Sequence, residues 1–147
     1  MTLPIPEEGL VIRYSYLWHA EYREGREEGV KDRPCAIILA VENRDLDKRR
    51  RVLVLPITHT QPDANIPSLE IPAVTKKRLG LDEARSWVIL SESNEFLWPG
   101  PDLRRVRGED DSSVAYGFLP PKFYNELRRR FVALVRASKS VIIKRTE

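Results

Sequence analysis

Apolar residues along this chain come in short bursts separated by charged or proline-bounded stretches. Residues 10–18 (LVIRYSYLW), after Gly9, are β-branched and aromatic and predict a first strand. Residues 35–41 (CAIILAV) and 52–57 (VLVLPI) are the two strongest runs. The polar stretch ENRDLDKRRR between them predicts an antiparallel hairpin with a basic cluster at or near its tip. Shorter strand candidates are 68–71, between Pro67 and Pro72, then 87–90 and 117–119. Residues 73–79 suit one or two helical turns, stopped by Gly80. Only 121–137 has a sustained helical period. There Phe123, Leu127, Phe131 and Leu134 recur behind Pro121, leaving Lys122, Arg129 and Arg136 mostly outward. Residues 19–32, with Gly25 and Gly29, read as a mobile loop or a short frayed helix. Residues 98–106 must be irregular, because Pro99 and Pro101 remove donors and fix φ. The tail, 138–147, is ambiguous: its Val141-Ile142-Ile143 suits a helix extension, an edge strand or a docking segment.

Five or six short strands with one terminal helix predict a mostly β, α+β fold, a small antiparallel barrel. A parallel α/β sheet needs helices between its strands, and the hairpin over 34–57 leaves no room for one. With 147 residues the chain is expected to be one domain, its core at about 9–135. Hydrophobic residues make up 41% and charged residues 32%, the balance of a soluble globular protein. No run approaches the roughly 18 apolar residues of a membrane span, and MTLPIPEEG does not read as a secretory signal. The lone Cys35 cannot form an internal disulfide, so a cytoplasmic location without a membrane partner is expected.

The net charge of +3 says little by itself, but its distribution is uneven. Basic clusters stand at 48–51, 76–78 and 128–130, and acid collects at 21–28. Such patches attract phosphate or simply keep a face solvated. His19 and His59 lie in different segments, and no zinc, calcium, phosphate-loop or hydrolase-elbow motif occurs, so neither metal nor cofactor is expected. What remains is a pair of strand-edge features. Arg33-Pro34 directly precedes one apolar strand, and Thr58-His59 directly follows the next. In an antiparallel hairpin these lie at the same end of the sheet. There a guanidinium and a hydroxyl can bind phosphate, or each can settle into a local turn or ion pair.

The order of these pieces resembles the MazF/PemK (Kid) family of type II toxin–antitoxin toxins, in a divergent PemK-like branch. The resemblance is carried by Gly9 with VIRYSYLW, GREEGVKDRP at 25–34, CAIILAV, VLVLPIT at 52–58, SWVILSESN at 86–94 and GFLPPKFYNELRRRFVALV at 117–135. It covers about 9–135, and its best-matched part is the R-P strand followed by the P-I-T strand. It implies an SH3-like barrel, a homodimer, a cognate antitoxin partner, and metal-independent cleavage of single-stranded RNA such as mRNA. Carried over by motif, Arg33 and Thr58 are the catalytic pair and Glu27 (or Glu28) matches the loop acid. The implied chemistry is attack of a ribose 2′-hydroxyl on the adjacent phosphate. Arg33 stabilises charge, Thr58 orients an oxygen, and Glu27 or His59 serves as base. Candidate RNA contacts are Lys31, Arg49, Arg50, Asn94 and Trp98. Trp98 and Tyr22 are candidates for base stacking, with Trp98 otherwise pinning its own loop, and Trp87 is expected in the core.

The chain departs from the family at Ser91-Glu92-Ser93-Asn94, where many members carry D-Q followed by arginine. Glu92 or Asn94 is a positional substitute for those groups. The competing expectation is a barrel of CcdB type, or a catalytically inactive member, that binds antitoxin or gyrase, or regulates transcription, without cutting RNA.

Overall fold

The two strongest apolar runs form the hairpin that their pattern predicts. In the computed structural model, which describes residues 3–26, 29, 31–42, 49–106 and 113–145, β2 (Arg33–Glu42) pairs antiparallel with β3 (Arg50–Thr58). The register runs from Glu42↔Arg50 to Cys35↔Pro56, with a bulge between Ile37 and Leu39. On the other side of β2 lies β1 (Leu10–Tyr14), and beyond it β7 (Ala115–Phe118). The second edge of β3 is shared. Its first half, Arg51–Val54, pairs with β6 (Glu92–Leu97), and its end, Ile57 and Thr58, pairs with β5 (Trp87–Ile89). A three-residue β4 (Ser68–Glu70) completes that side.

Both faces of the central strands are buried, which is why they read as continuous apolar runs rather than alternating ones. Val52 and Val54 pack on one face with Ile12, Tyr14, Tyr16, Cys35, Ile37, Phe96 and Trp98. Leu53, Leu55 and Ile57 pack on the other, with Val11, Ala36, Ile38 and the terminal helix. That helix, α3 (Pro121–Arg136), starts on its predicted proline and docks through Leu127 and Phe131, 0% and 4% exposed. Each such side chain contributes about 1.5–3 kcal/mol of burial free energy. The shorter α2 (Ala73–Leu79) ends on Gly80 in the left-handed region, as a C-terminal glycine permits.

Three expectations needed correction, and one open alternative, the tail, took its strand form. The first strand stops at Tyr14 rather than Trp18, because both backbone groups of Leu17 are taken by the Asn94 side chain. The strand β6 was not foreseen. The tail resolves into β8 (Val141–Lys144), paired parallel to β6 in a sheet that is otherwise antiparallel. Finally, among the described residues the sheet is not closed: its path runs β4-β5-β3-β2-β1-β7, with β6 and β8 branching from β3, and its two end strands are not paired there.

The stretch after β1 folds into a five-residue α1 (His19–Arg23). Glu21 reaches back to the Trp18 N–H at 3.0 Å, an acidic residue at the third helical position closing the first turn. Gly29 lies so close to the Tyr16 carbonyl that a Cβ would run into it, which pins the returning loop over the end of β1. Among the described residues no helix is long and apolar enough to cross a membrane.

Candidate functional site

Arg33 and Thr58 both stand at the end of the hairpin opposite its connecting loop. Continuing the register past Cys35↔Pro56 by two residues sets Arg33 across from Thr58, and side chains two apart share a face. The same rung extends outward, with Tyr14 opposite Arg33 on one side and Trp87 opposite Thr58 on the other. Thr58 Oγ1 accepts a 3.1 Å hydrogen bond from the Thr60 N–H. That bond holds the turn that carries His59, so Thr58 shapes the strand end as well as bordering it.

A cleft of about 510 Å³ opens at this end. It is lined by Arg13, Asp32, Arg33, His59, Lys76 and Asp82, with Ser86 and Tyr116 at its sides. Thr58 is not among its lining residues, whereas His59 is exposed and faces it. Two of the three cationic side chains are balanced by carboxylates. Arg13 stands 3.6 Å from Asp32, which also lies 3.5 Å from Arg104. Lys76, 4% exposed, donates to Asp82 at 2.6 Å, to Ser86 Oγ at 2.7 Å and to the Ala84 carbonyl. The Lys76 ammonium holds the Asp82 carboxyl below its ordinary value, and His59 acts in the same direction.

Arg33 is different. Its guanidinium carbon sits 4.9 Å from the centroid of the Trp18 ring, and its Nε is buried without a hydrogen-bond partner among the described residues. Within the cleft it is therefore the cation not already neutralised by a described carboxylate. A charged donor in that condition favours an incoming oxyanion, since leaving a buried donor unsatisfied is costly. Beside it, burial pushes the Cys35 thiol up, against the pull of the Arg33 and Arg145 charges.

The other expected contacts divide between near and far. Lys31 is exposed two residues before Arg33. Arg49 and Arg50 are exposed at the loop end of the hairpin. A strand of ten residues separates them from Arg33, roughly 30 Å at about 3.3 Å per residue. They do not join the cleft. Asn94 is fully buried: its Oδ1 accepts from the Leu17 N–H and Arg145, and its Nδ2 donates to the Leu17 carbonyl. Trp98 is 7% exposed and packs 6.2 Å from Phe96. Neither is placed to touch a nucleic acid, because one is spent on the backbone and the other on the core. Glu27 lies outside the described residues. Trp87 is in the core, as expected, and Tyr22 is 52% exposed.

One neighbouring group was only a positional guess. Glu92 Oε1 accepts from the Tyr16 hydroxyl at 3.1 Å and from the His19 N–H at 2.9 Å. Desolvation raises its carboxyl above the ordinary value, offset in part by those bonds. It anchors the start of α1 rather than lining the cleft. Trp18 had no role in the sequence pattern beyond ending a strand. The signal that marked it was its aromatic identity just before the acidic loop. Compared with the models of protein families, with characterised proteins and with solved structures, the chain finds no match.

Proposed function

We propose that this protein is a metal-independent endoribonuclease of MazF/PemK type, the toxin half of a toxin–antitoxin pair, cutting single-stranded RNA at the Arg33 cleft. The observation that supports the reading is the hairpin, which brings Arg33 and Thr58 to the same end of the sheet, together with the buried Arg33 Nε that lacks a partner among the described residues. Phosphoryl chemistry by 2′-hydroxyl attack needs positive charge on the non-bridging oxygens and a base for the hydroxyl proton. Arg33 supplies the charge. His59, exposed on the same cleft, is the base within the described residues, and an imidazole suits that task near neutral pH. Thr58 holds the turn that presents His59. In this reading the open sheet is a variant of the SH3-like barrel, the active form is a homodimer, and an antitoxin protein covers the cleft.

Incubating the purified protein with a long single-stranded RNA in EDTA tests this. Cleavage by the wild type and its loss in Arg33→Ala, with matching loss of growth arrest on induction, is the expected result. Intact RNA and unimpaired growth with the wild type would sink the proposal.

A second reading, protein binding without RNA cleavage, is favoured by β8. That strand pairs only with β6 among the described residues and exposes Val141 and Ile142 at 42% and 40%. An edge of this kind takes up a partner strand. Growth arrest that survives Arg33→Ala would select it.

A further inference from the structure

The environment of Arg33 contains an aromatic surface that the cleft chemistry leaves unused. Trp18 follows β1 and is only partly buried, whereas the other two tryptophans, Trp87 and Trp98, are 8% and 7% exposed. Its ring is fixed from several directions. The Arg33 guanidinium lies over it at 4.9 Å, and Tyr16 meets it in an edge-on contact at 5.1 Å between centroids. Its backbone N–H is held by Glu21, and its carbonyl accepts from the Tyr22 N–H at 2.9 Å. Tyr16 is in turn held by Glu92, which also grips the start of α1. A partly open aromatic ring packed by two neighbours loses little entropy on meeting a flat ligand.

Next to that ring is the one cleft cation without a described carboxylate, and its buried Nε lacks a partner. Tyr22, one helical turn further along α1, is 52% exposed. A fixed ring beside an unneutralised guanidinium matches the alternation of base and phosphate along a single strand. A duplex, whose bases are stacked on one another, has no free face for the ring. An acidic peptide uses the guanidinium and leaves the ring idle.

Resting on the RNA reading above, we infer that Trp18 is the base-stacking residue of this site. It holds the nucleobase next to the phosphate that Arg33 engages, and so limits the substrate to unpaired strands. The work is stacking, so it is insensitive to the 2′-hydroxyl and depends on the base.

Fluorescence titration with a short 2′-O-methyl oligoribonucleotide, which binds but cannot be cut, separates the steps. The companion probe is inorganic polyphosphate, which carries the charge and no base. With the oligonucleotide, the wild type is expected to bind and its tryptophan emission to fall. Trp18→Ala should weaken that binding roughly 5- to 100-fold, the range for loss of one base–aromatic stack, while polyphosphate binding is unchanged. Trp18→Phe should recover most of the loss. Oligonucleotide binding equal in wild type and Trp18→Ala overturns the stacking role and leaves the RNA reading intact. A wild type that binds no oligonucleotide overturns both. Should Trp18→Ala fail to fold, photocrosslinking of a 5-iodouracil oligonucleotide to the wild type decides the matter without a variant. Attachment at Trp18 upholds the inference, and attachment only elsewhere overturns it.

Discussion

Arg145, in the last strand's exit, carries the sharpest structural prediction. Its side chain is 1% exposed and makes a 3.0 Å ion pair with Asp102, itself 10% exposed. One terminal nitrogen, Nη1, donates to the Ser15 carbonyl at 2.7 Å, to Asn94 Oδ1 at 3.1 Å and to the Tyr14 hydroxyl at 3.3 Å. A single guanidinium thus ties β8 to the end of β1, to β6 and to the 98–106 loop. Arg145→Ala removes every one of these contacts and takes the guanidinium of the 3.0 Å ion pair away from the largely buried Asp102. Breaking one side of a buried pair costs about 3–5 kcal/mol. At about 3 °C per kcal/mol for a chain of this size, the midpoint should fall by roughly 10–15 °C. Urea and thermal denaturation measure it directly. Arg145→Met with Asp102→Leu should cost less than the sum of the two single changes, because each single change already removes their shared ion pair. A single-variant loss below about 1 kcal/mol, or strict additivity in the pair, would refute the reasoning.

Three further outcomes follow from the packing and the charges. Cys35 is 0% exposed and its thiol is pushed up by burial, so it should resist thiol reagents in the native protein and react only on unfolding; rapid labelling under native conditions would contradict the packing. The raised carboxyl of Glu92 keeps its proton to higher pH in the folded chain than in the unfolded one, so this group's contribution to stability falls as pH rises from about 4.3 through the raised value. Glu92→Gln should therefore gain on the wild type across that window in urea titrations, and parallel pH profiles would refute it. Lys76→Ala strips Asp82, Ser86 and the Ala84 carbonyl of their shared donor, and should cost about 1.5–3 kcal/mol. Unchanged stability to denaturant would show that the 82–86 loop holds without it.

How much of this was legible in the sequence varied by element, for physical reasons. The β2–β3 hairpin and α3 were plain, because uninterrupted apolar runs and a helical period survive whatever packs on them. The juxtaposition of Arg33 and Thr58 followed from antiparallel pairing alone. β6 was hidden because Ser93 and Asn94, both 0% exposed, are polar. Asn94 sits in the core because its side chain replaces a missing ladder for Leu17, which no local pattern announces. Trp98, read either as a stacking surface or as a pin for its own loop, is packed against Phe96. Arg145 gave no signal at all, since a basic residue near a chain end ordinarily lies in solvent. Trp18 was missed for a similar reason: apolar composition reads as strand, and its partial exposure and contact with Arg33 come only from the tertiary fold.

The most direct test of the central claim is the identity of the RNA ends. Wild-type protein in EDTA, acting on an end-labelled single-stranded RNA, should leave 2′,3′-cyclic phosphate and 5′-hydroxyl termini, and a single 2′-deoxy substitution at the cut position should block cleavage there. Cleavage that persists at the 2′-deoxy site, or products bearing 5′-phosphate, would contradict 2′-hydroxyl attack at the Arg33 cleft.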